Sequence, residues 1–278
     1  MKLSIITVNL NNKKGLEKTF DSIFKQTFQD FEYLVIDGGS TDGSLELIKS
    51  FSTKINFWMS EKDSGVYNAM NKGIKNATGE YINFMNSGDC FYEDTTIEKA
   101  VTHFNQDIAV LCGDTKSYKK ELFVANLFAP KAISFGYFFK GGLYHQSAFI
   151  KKDLFYKCFF YNENYKICSD WELFIYALCL KNETYQKLNI FICKYDLGGI
   201  SADSKFIELH QQERRQVLNK YFAVFVNDYT EYEKIERFYN KKIVKKSSII
   251  LQTKVPKVFY KLITAVIYFF TIKPKSKK

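Results

Sequence analysis

Two hydrophobic periods alternate along the first 85 residues. Residues 3–8 form a short run rich in apolar and β-branched side chains that stops at Asn9, Asn11 and Asn12, the pattern of a buried strand ending in a polar loop. Across 15–27 the apolar positions Leu16, Phe20, Ile23 and Phe24 recur at helical spacing. The cycle repeats with a strand over 32–37, a Gly-rich turn over 38–43 and a helix carrying Leu45, Leu47, Ile48 and Phe51. A third strand is expected over 56–60, a third helix over 66–76 and a fourth strand over 81–85. Such cycling predicts an α/β fold with a doubly wound, mostly parallel central sheet flanked by helices. Beyond Asp94 the regularity weakens: strands are expected over 108–112, 146–150 and 187–195, with helices over 171–180 and from 206 to about 225.

Ligands of such sheets bind beyond the carboxyl ends of the strands. The candidates are therefore Asn9 and Asn11 after the first strand, Asp37 after the second, Asp63 after the third, and Asn86 and Asp89 after the fourth. Asp37 lies in the segment VIDGGSTDGS, whose glycines permit close approach of a ligand. Its carboxylate either accepts hydrogen bonds from a base or ribose, or belongs to an ordinary turn with Thr41 or Asp42 capping the helix. Asp89 is either a solvated turn residue or a ligand of Mg²⁺, which takes one or two protein carboxylates and fills its other positions with water and phosphate.

Composition adds that the chain can bury a sizeable core: 278 residues, 46% hydrophobic and 25% charged, with 3 Pro and 14 Gly, exclude wholesale disorder and collagen-like repeats. The net charge of +10 is localised. Residues 241–278 hold eleven Lys and no acid, whereas the first 240 hold 29 basic and 30 acidic residues. A tail of this kind attracts the phosphates of nucleic acid or of anionic lipid. Within it, residues 262–272 are apolar, and at about 1.5 Å per residue they cover roughly half of a ~30 Å hydrocarbon core. Flanked by Lys, the stretch is suited to lying in a membrane interface. The expected organisation is a catalytic domain over 1–226 and a helical, Lys-rich appendage over 227–278. The six cysteines have neither CxxC spacing nor nearby His, which disfavours a metal cluster or disulfide framework, and residues 1–12 do not resemble a secretory leader; both features suit a reducing cytoplasm.

Taken in order, SIITVNLNN, VIDGGSTDGS, EKDSGVYNAMNKGI, GEYINFMNSGD, HQSAFIKKDLF, SDWELF and GGIS resemble the family-2 glycosyltransferases of the GT-A fold, bacterial enzymes of surface-polysaccharide assembly. The resemblance covers about residues 1–201. It implies an inverting, metal-dependent transfer from a nucleoside-diphosphate sugar, with UDP the expected nucleotide, to an acceptor hydroxyl of a saccharide or lipid-linked glycan. By the same resemblance Asn9 and Asn11 touch the nucleoside, Asp37 bonds the pyrimidine and Asp63 lies in the donor loop beside Ser64 and Gly65. Asp89 matches the last aspartate of the DXD signature that holds Mg²⁺ or Mn²⁺ against the diphosphate. Asn86 and Gly88 stand where many relatives carry further acids, which leaves Asp89 nearly alone.

Asp170 matches the aspartate of the family's general base, a role the chemistry needs because an acceptor hydroxyl is a poor nucleophile until its proton is taken. Its position at the start of a helix also suits a cap. Glu172 is the alternative base, expected to face solvent or the acceptor cleft. His145, in the matching HQ segment, either lines the sugar and diphosphate pocket or is a satisfied structural residue. The GYFFKGG stretch over 136–142 is a candidate acceptor-side loop. The expected setting is the cytoplasmic face of the cell membrane, with the tail on anionic lipid and no nucleic-acid partner. Two competing readings are a sugar-nucleotide binder without turnover and a nucleic-acid-binding protein using the tail. The second is opposed by the dominance of Lys over Arg and the aliphatic interleaving of the tail.

Overall fold

Strand β1 (Leu3–Asn9) is buried along its whole length, as a central strand covered on both faces requires. The structure, a computed structural model, describes residues 3–199, 204–240, 261–262, 264–266 and 268. Helix α1 (Lys13–Phe24) starts where the Asn12 side chain accepts from the Gly15 N–H, and it buries Leu16, Phe20 and Ile23, the stripe expected from the spacing. Phe20 sits among the rings of Phe24, Tyr33 and Phe51, with centroids 5.3–6.0 Å away. Strand β2 (Phe31–Asp37), α2 (Ser44–Ser50), β3 (Phe57–Ser60), α3 (Val66–Asn76) and β4 (Tyr81–Phe84) complete the repeating half. Asp42 accepts from the N–H and hydroxyl of Ser44, so it caps α2 from just outside, while Gly43 takes the left-handed backbone at the N-cap.

The second half is mixed. It comprises β5 (Cys90–Phe91), α4 (Thr96–Val101), β6 (Val110–Lys119), β7 (Leu122–Leu127), α5 (Phe135–Lys140), β8 (Ala148–Lys151), α6 (Lys152–Lys157), α7 (Ser169–Ile175), β9 (Tyr185–Asp196) and α8 (Ile207–Tyr239). The sheet order is β3-β2-β1-β4-β8-β6-β9-β5, with β7 added on β6. Pairings among β1 to β4 are parallel, β8 is antiparallel to both β4 and β6, and β6 is parallel to β9. The expected strand over 146–150 begins two residues later, because 145–147 form a 3-10 turn, and the helix expected over 171–180 starts at Ser169 and ends in a π turn over 176–180.

Register places the site. Asn9 is paired with Asp37, and Asp37 with Ser60, so the ends of three neighbouring parallel strands stand in one row. The chain divides into two compact units, Met1–Phe222 and Ala223–Lys278. The division falls where Phe222 takes non-helical angles (φ −134°, ψ 23°) within α8. Most of the apolar stretch over 262–272 and residues 200–201 of the GGIS segment lie outside the described residues. Among the described residues, no helix is long and apolar enough to cross a membrane.

Candidate active site

The carboxyl rim of the parallel strands carries two groups of the expected residues. In the first, Asp37 is fully buried and its oxygens accept from the Asn9 amide (2.8 Å), the Ser60 hydroxyl (2.6 Å), the Ser40 hydroxyl and N–H, and the Gly39 N–H. Burial pushes this carboxyl up, but the Ser40 and Ser60 bonds outweigh it and hold Asp37 below the ordinary range. Asn11, with a left-handed φ of 49°, accepts from the Thr41 N–H (2.8 Å) and gives its own N–H to the Ser40 hydroxyl (2.7 Å). Asn9 and Asn11 thus bind the loop after β1 to the loop after β2, with the Asn9 Oδ1 buried and without a partner among the described residues. Asp63 joins the same rim: its carboxylate pairs with Lys72 and is raised chiefly by burial, with Glu61 and Asp37 adding to the rise.

The second group lies after β4. A tight turn closed by the Asp89 N–H on the Asn86 carbonyl (2.9 Å) presents Asp89, and Gly88 adopts φ 108°, a conformation that favours glycine. The Asn12 amide donates to the Ser87 carbonyl (3.0 Å), fastening this turn to the loop after β1. Asp89 is 7% exposed and, among the described residues, receives two long hydrogen bonds, from the Asp196 N–H (3.2 Å) and the Gln146 amide (3.4 Å). Burial pushes its carboxyl up to about 7 against the opposing pull of the His145 charge and of these two hydrogen bonds, and the charge of Asp196 adds a smaller rise.

Asp170 sits in the first turn of α7, where Cys168 rather than Asp170 takes the cap position. Its two oxygens face other elements: Oδ1 accepts from the Tyr67 hydroxyl (2.8 Å) on α3 and Oδ2 meets the His145 Nδ1 (2.9 Å). Burial raises Asp170, yet the His145 and Tyr67 bonds prevail and keep it below its ordinary value. Burial lowers His145, and its bond and charge pairing with Asp170 override that to raise it. The other ring nitrogen, Nε2, lies 3.2 Å from the Asn86 amide nitrogen, and the Asn86 Oδ1 is buried without a partner among the described residues. The Asn86 amide donates to a neutral imidazole, and rotating it presents Oδ1 to an imidazolium, so one side chain serves both protonation states.

Asp89 and Asp170 therefore converge on consecutive residues of one turn, Gln146 and His145. The first group, Asn9, Asn11, Asp37 and Asp63, forms a separate cluster joined to the second through Asn12. Glu172 is not in the cleft. It is buried, with Oε1 accepting from Lys220 and from the Tyr221 hydroxyl (both 3.1 Å) on α8, because α7 turns that face inward. Tyr67, Gln146 and Asp196 are site residues that the linear motifs did not single out. Gln146 lies within the HQ motif and Tyr67 within EKDSGVYNAMNKGI, but nothing in those segments tied them to partners far along the chain, and Asp196 had no local signal, Tyr67 and Asp196 being 103 and 107 residues from their partners.

Helix α8 braces this arrangement. The buried Glu213 carboxylate accepts from three consecutive N–H groups, Lys166 (2.8 Å), Ile167 (3.0 Å) and Cys168 (3.0 Å), at the entry to α7. Arg214 lies 4.5 Å from the Trp171 ring and donates to the carbonyls of Phe138 and Gly141, and Trp171 also donates to Gly141 (2.7 Å). A Cβ at Gly142 would stand 2.6 Å from Trp171, so glycine permits this close approach. Glu213→Ala leaves three N–H groups without their acceptor, and a loss on the order of 3 kcal/mol is expected from urea unfolding, with a smaller loss for Glu213→Gln. Midpoints within experimental error of the parent would remove α8 from this role.

The surroundings of Asp89 fit a divalent cation. Among the described residues no basic side chain forms an ion pair with Asp89, its hydrogen bonds are long, and a second carboxylate, Asp196, stands close enough to raise it. A buried carboxylate, Asp89, beside the half-buried carboxylate of Asp196 makes an oxygen-bearing pair that suits a hard cation, with the His145 imidazole the nearest positive charge to Asp89. No group of three or more His, Cys, Asp or Glu side chains with metal-binding geometry occurs among the described residues, so water and substrate oxygens would complete the coordination.

Comparison with known proteins gives concordant results. The model of the family described as Glycosyl transferase family 2 matches residues 4–162, more than half of the chain. A PGL/p-HBAD biosynthesis glycosyltransferase of Mycobacterium bovis is 28% identical over 214 residues, covering 74% of this chain and 82% of that protein. Among solved structures, S. aureus TarS 1–349 is 19% identical, with TM-scores of 0.56 in complex with UDP and 0.60 in complex with UDP-GlcNAc. Those two superpositions cover 70% and 79% of this chain and 60% and 67% of TarS 1–349. The mannosyltransferase PcManGT of Pyrobaculum calidifontis, in complex with GDP-Man and Mn²⁺, is 12% identical with a TM-score of 0.57, covering 97% of this chain and 81% of that one. At these identities the structural likeness concerns the fold.

Proposed function

The chain belongs to glycosyl transferase family 2, and on that premise we propose that it transfers a sugar, with inversion, from a UDP-linked donor to a hydroxyl of a cell-surface saccharide or lipid-linked acceptor. The observation that carries this reading is the convergence of Asp89 and Asp170 on the His145–Gln146 turn, at 3.4 and 2.9 Å. One acid there is held above its ordinary range by burial and makes only long hydrogen bonds, while the other is ionised and held in place by two hydrogen bonds.

Asp170 takes the acceptor proton. Its carboxylate is fixed by Tyr67 and His145, so the base is oriented before the acceptor arrives. His145 provides positive charge beside the carboxylate, and Asn86 supports the ring in either protonation state. Asp89, with Asp196, would hold Mg²⁺ or Mn²⁺, which when bound offsets the charge of a departing nucleoside diphosphate. Asn9, Asn11, Asp37 and Asp63 shape the donor pocket. The five hydrogen bonds already made by Asp37 suggest that it organises the nucleoside-binding loop as well as meeting the base. Inversion is supported by chemistry: a double displacement needs a second carboxylate as nucleophile, and Glu172, the acid nearest Asp170 in sequence, is buried against α8. The catalytic domain is taken as 1–226, and the Lys-rich appendage over 227–278 as a peripheral attachment to the cytoplasmic membrane face.

A panel of nucleotide-sugars, each incubated with acceptor glycans and with Mn²⁺ or chelator, tests the reading through released nucleoside diphosphate. UDP-sugars are expected to be used and chelator to suppress release. Absence of release from UDP-, GDP- and dTDP-linked donors alike would leave only a sugar-nucleotide binder.

A further inference from the structure

Strands β6 and β7 form a hairpin whose two-residue turn, Lys120 and Glu121, has φ of 49° and 65°, the double left-handed geometry of a tight hairpin. Beyond the turn, Leu122, Phe123 and Val124 are 73%, 54% and 52% exposed. Leu122 and Phe123, paired with Lys119 and Tyr118, point to opposite faces, so their exposure leaves neither face of the hairpin tip covered, and Val124 is the extra residue where the register shifts. Phe128, just past β7, is exposed as well. The charges around this apolar tip are mostly basic. Lys116, Lys119 and Lys120 lie on β6 and the turn, and the acid of the turn, Glu121, is paired with Lys18 of α1 at 2.6 Å.

We propose that this hairpin is a membrane-insertion element: Leu122, Phe123 and Val124 enter the acyl boundary of an anionic bilayer while Lys119 and Lys120 meet lipid phosphates. An exposed apolar wedge flanked by lysines complements such a surface in both hydrophobicity and charge. The element lies in the first compact unit and is distinct from the Lys-rich appendage. A cavity of about 620 Å³, lined by Tyr118, Glu121, Lys18, Gly88 and Asp196 among others, connects the hairpin base with the turn bearing Asp89. Insertion of the tip therefore sets this opening at the lipid surface, where a lipid-linked acceptor arrives. That last consequence rests on the proposed transferase function; the bilayer contact does not.

The test uses the full chain with Phe123→Trp, and Val124→Trp as a second probe, against vesicles of phosphatidylcholine with and without phosphatidylglycerol. Wild-type emission from Trp58 and Trp171 is subtracted. The expected result is a blue shift and quenching by brominated acyl chains in anionic vesicles only. Lys119→Gln combined with Lys120→Gln is expected to weaken that partitioning by roughly 30-fold. The proposal is overturned if the protein sediments with vesicles while neither probe shifts, since the appendage alone would then account for binding. It is equally overturned if the shift follows protein concentration without vesicles, because a second copy would then cover the hairpin.

Discussion

Asp170→Asn is expected to keep donor affinity within a few-fold of the parent and to lower turnover by about 10²- to 10⁴-fold, the range a general base contributes. Asparagine preserves the size of the side chain and can still accept from Tyr67, so the α7 entry that Glu213 braces stays in place. What disappears is the acceptor for the hydroxyl proton. Nucleoside diphosphate release in the presence of acceptor measures the loss, and titration calorimetry of the donor measures the part that must not change. A variant within tenfold of the parent would end Asp170's candidacy. The pH dependence follows from the same pair. Asp170 lies below its ordinary value and so is ionised throughout the neutral range, whereas His145 lies above its own ordinary value. As pH rises through the His145 value the imidazolium loses its charge, the carboxylate loses a stabilising partner, and its basicity increases. Turnover is therefore expected to climb across that step, and His145→Gln to flatten it.

Asp89→Asn is expected to abolish Mn²⁺ binding by the UDP-loaded protein, seen by calorimetry, and to reduce turnover by at least about 10²-fold. The same change should stabilise the cation-free protein at alkaline pH. Burial raises Asp89 to about 7, far above its unfolded value, so between those two values the folded state binds a proton that the unfolded state does not. Stability of the cation-free parent must then fall as pH rises through that window, and stay lower above it. The amide carries no such dependence. Melting temperatures at pH 5 and pH 8 in chelator should separate for the parent and draw together for the variant, with Mn²⁺ and UDP restoring the parent at pH 8. If the two proteins respond to pH identically, Asp89 is not a buried acid held above its ordinary range and the cation site falls with it.

Much of this protein was determined by short-range pattern. The β1 to β4 half was legible because each buried strand and each helical stripe is written in the spacing of its own apolar residues, as at Leu16, Phe20 and Ile23. The carboxyl-rim positions of Asn9, Asp37 and Asp89 followed from those elements, since parallel register brings the strand ends together. Only the tertiary structure decided the rest. That β6 is flanked by β8 and β9 and also pairs with β7 depends on partners scattered over the second half of the chain. Likewise, burial of Glu172 against α8, the approach of Asp196 to Asp89 and the grip of Tyr67 and His145 on Asp170 join groups far apart in sequence. Apolar periodicity records which face of an element is buried; it carries no record of which distant polar group meets it there, and that meeting determines whether an acid is a base, a cation ligand or a brace.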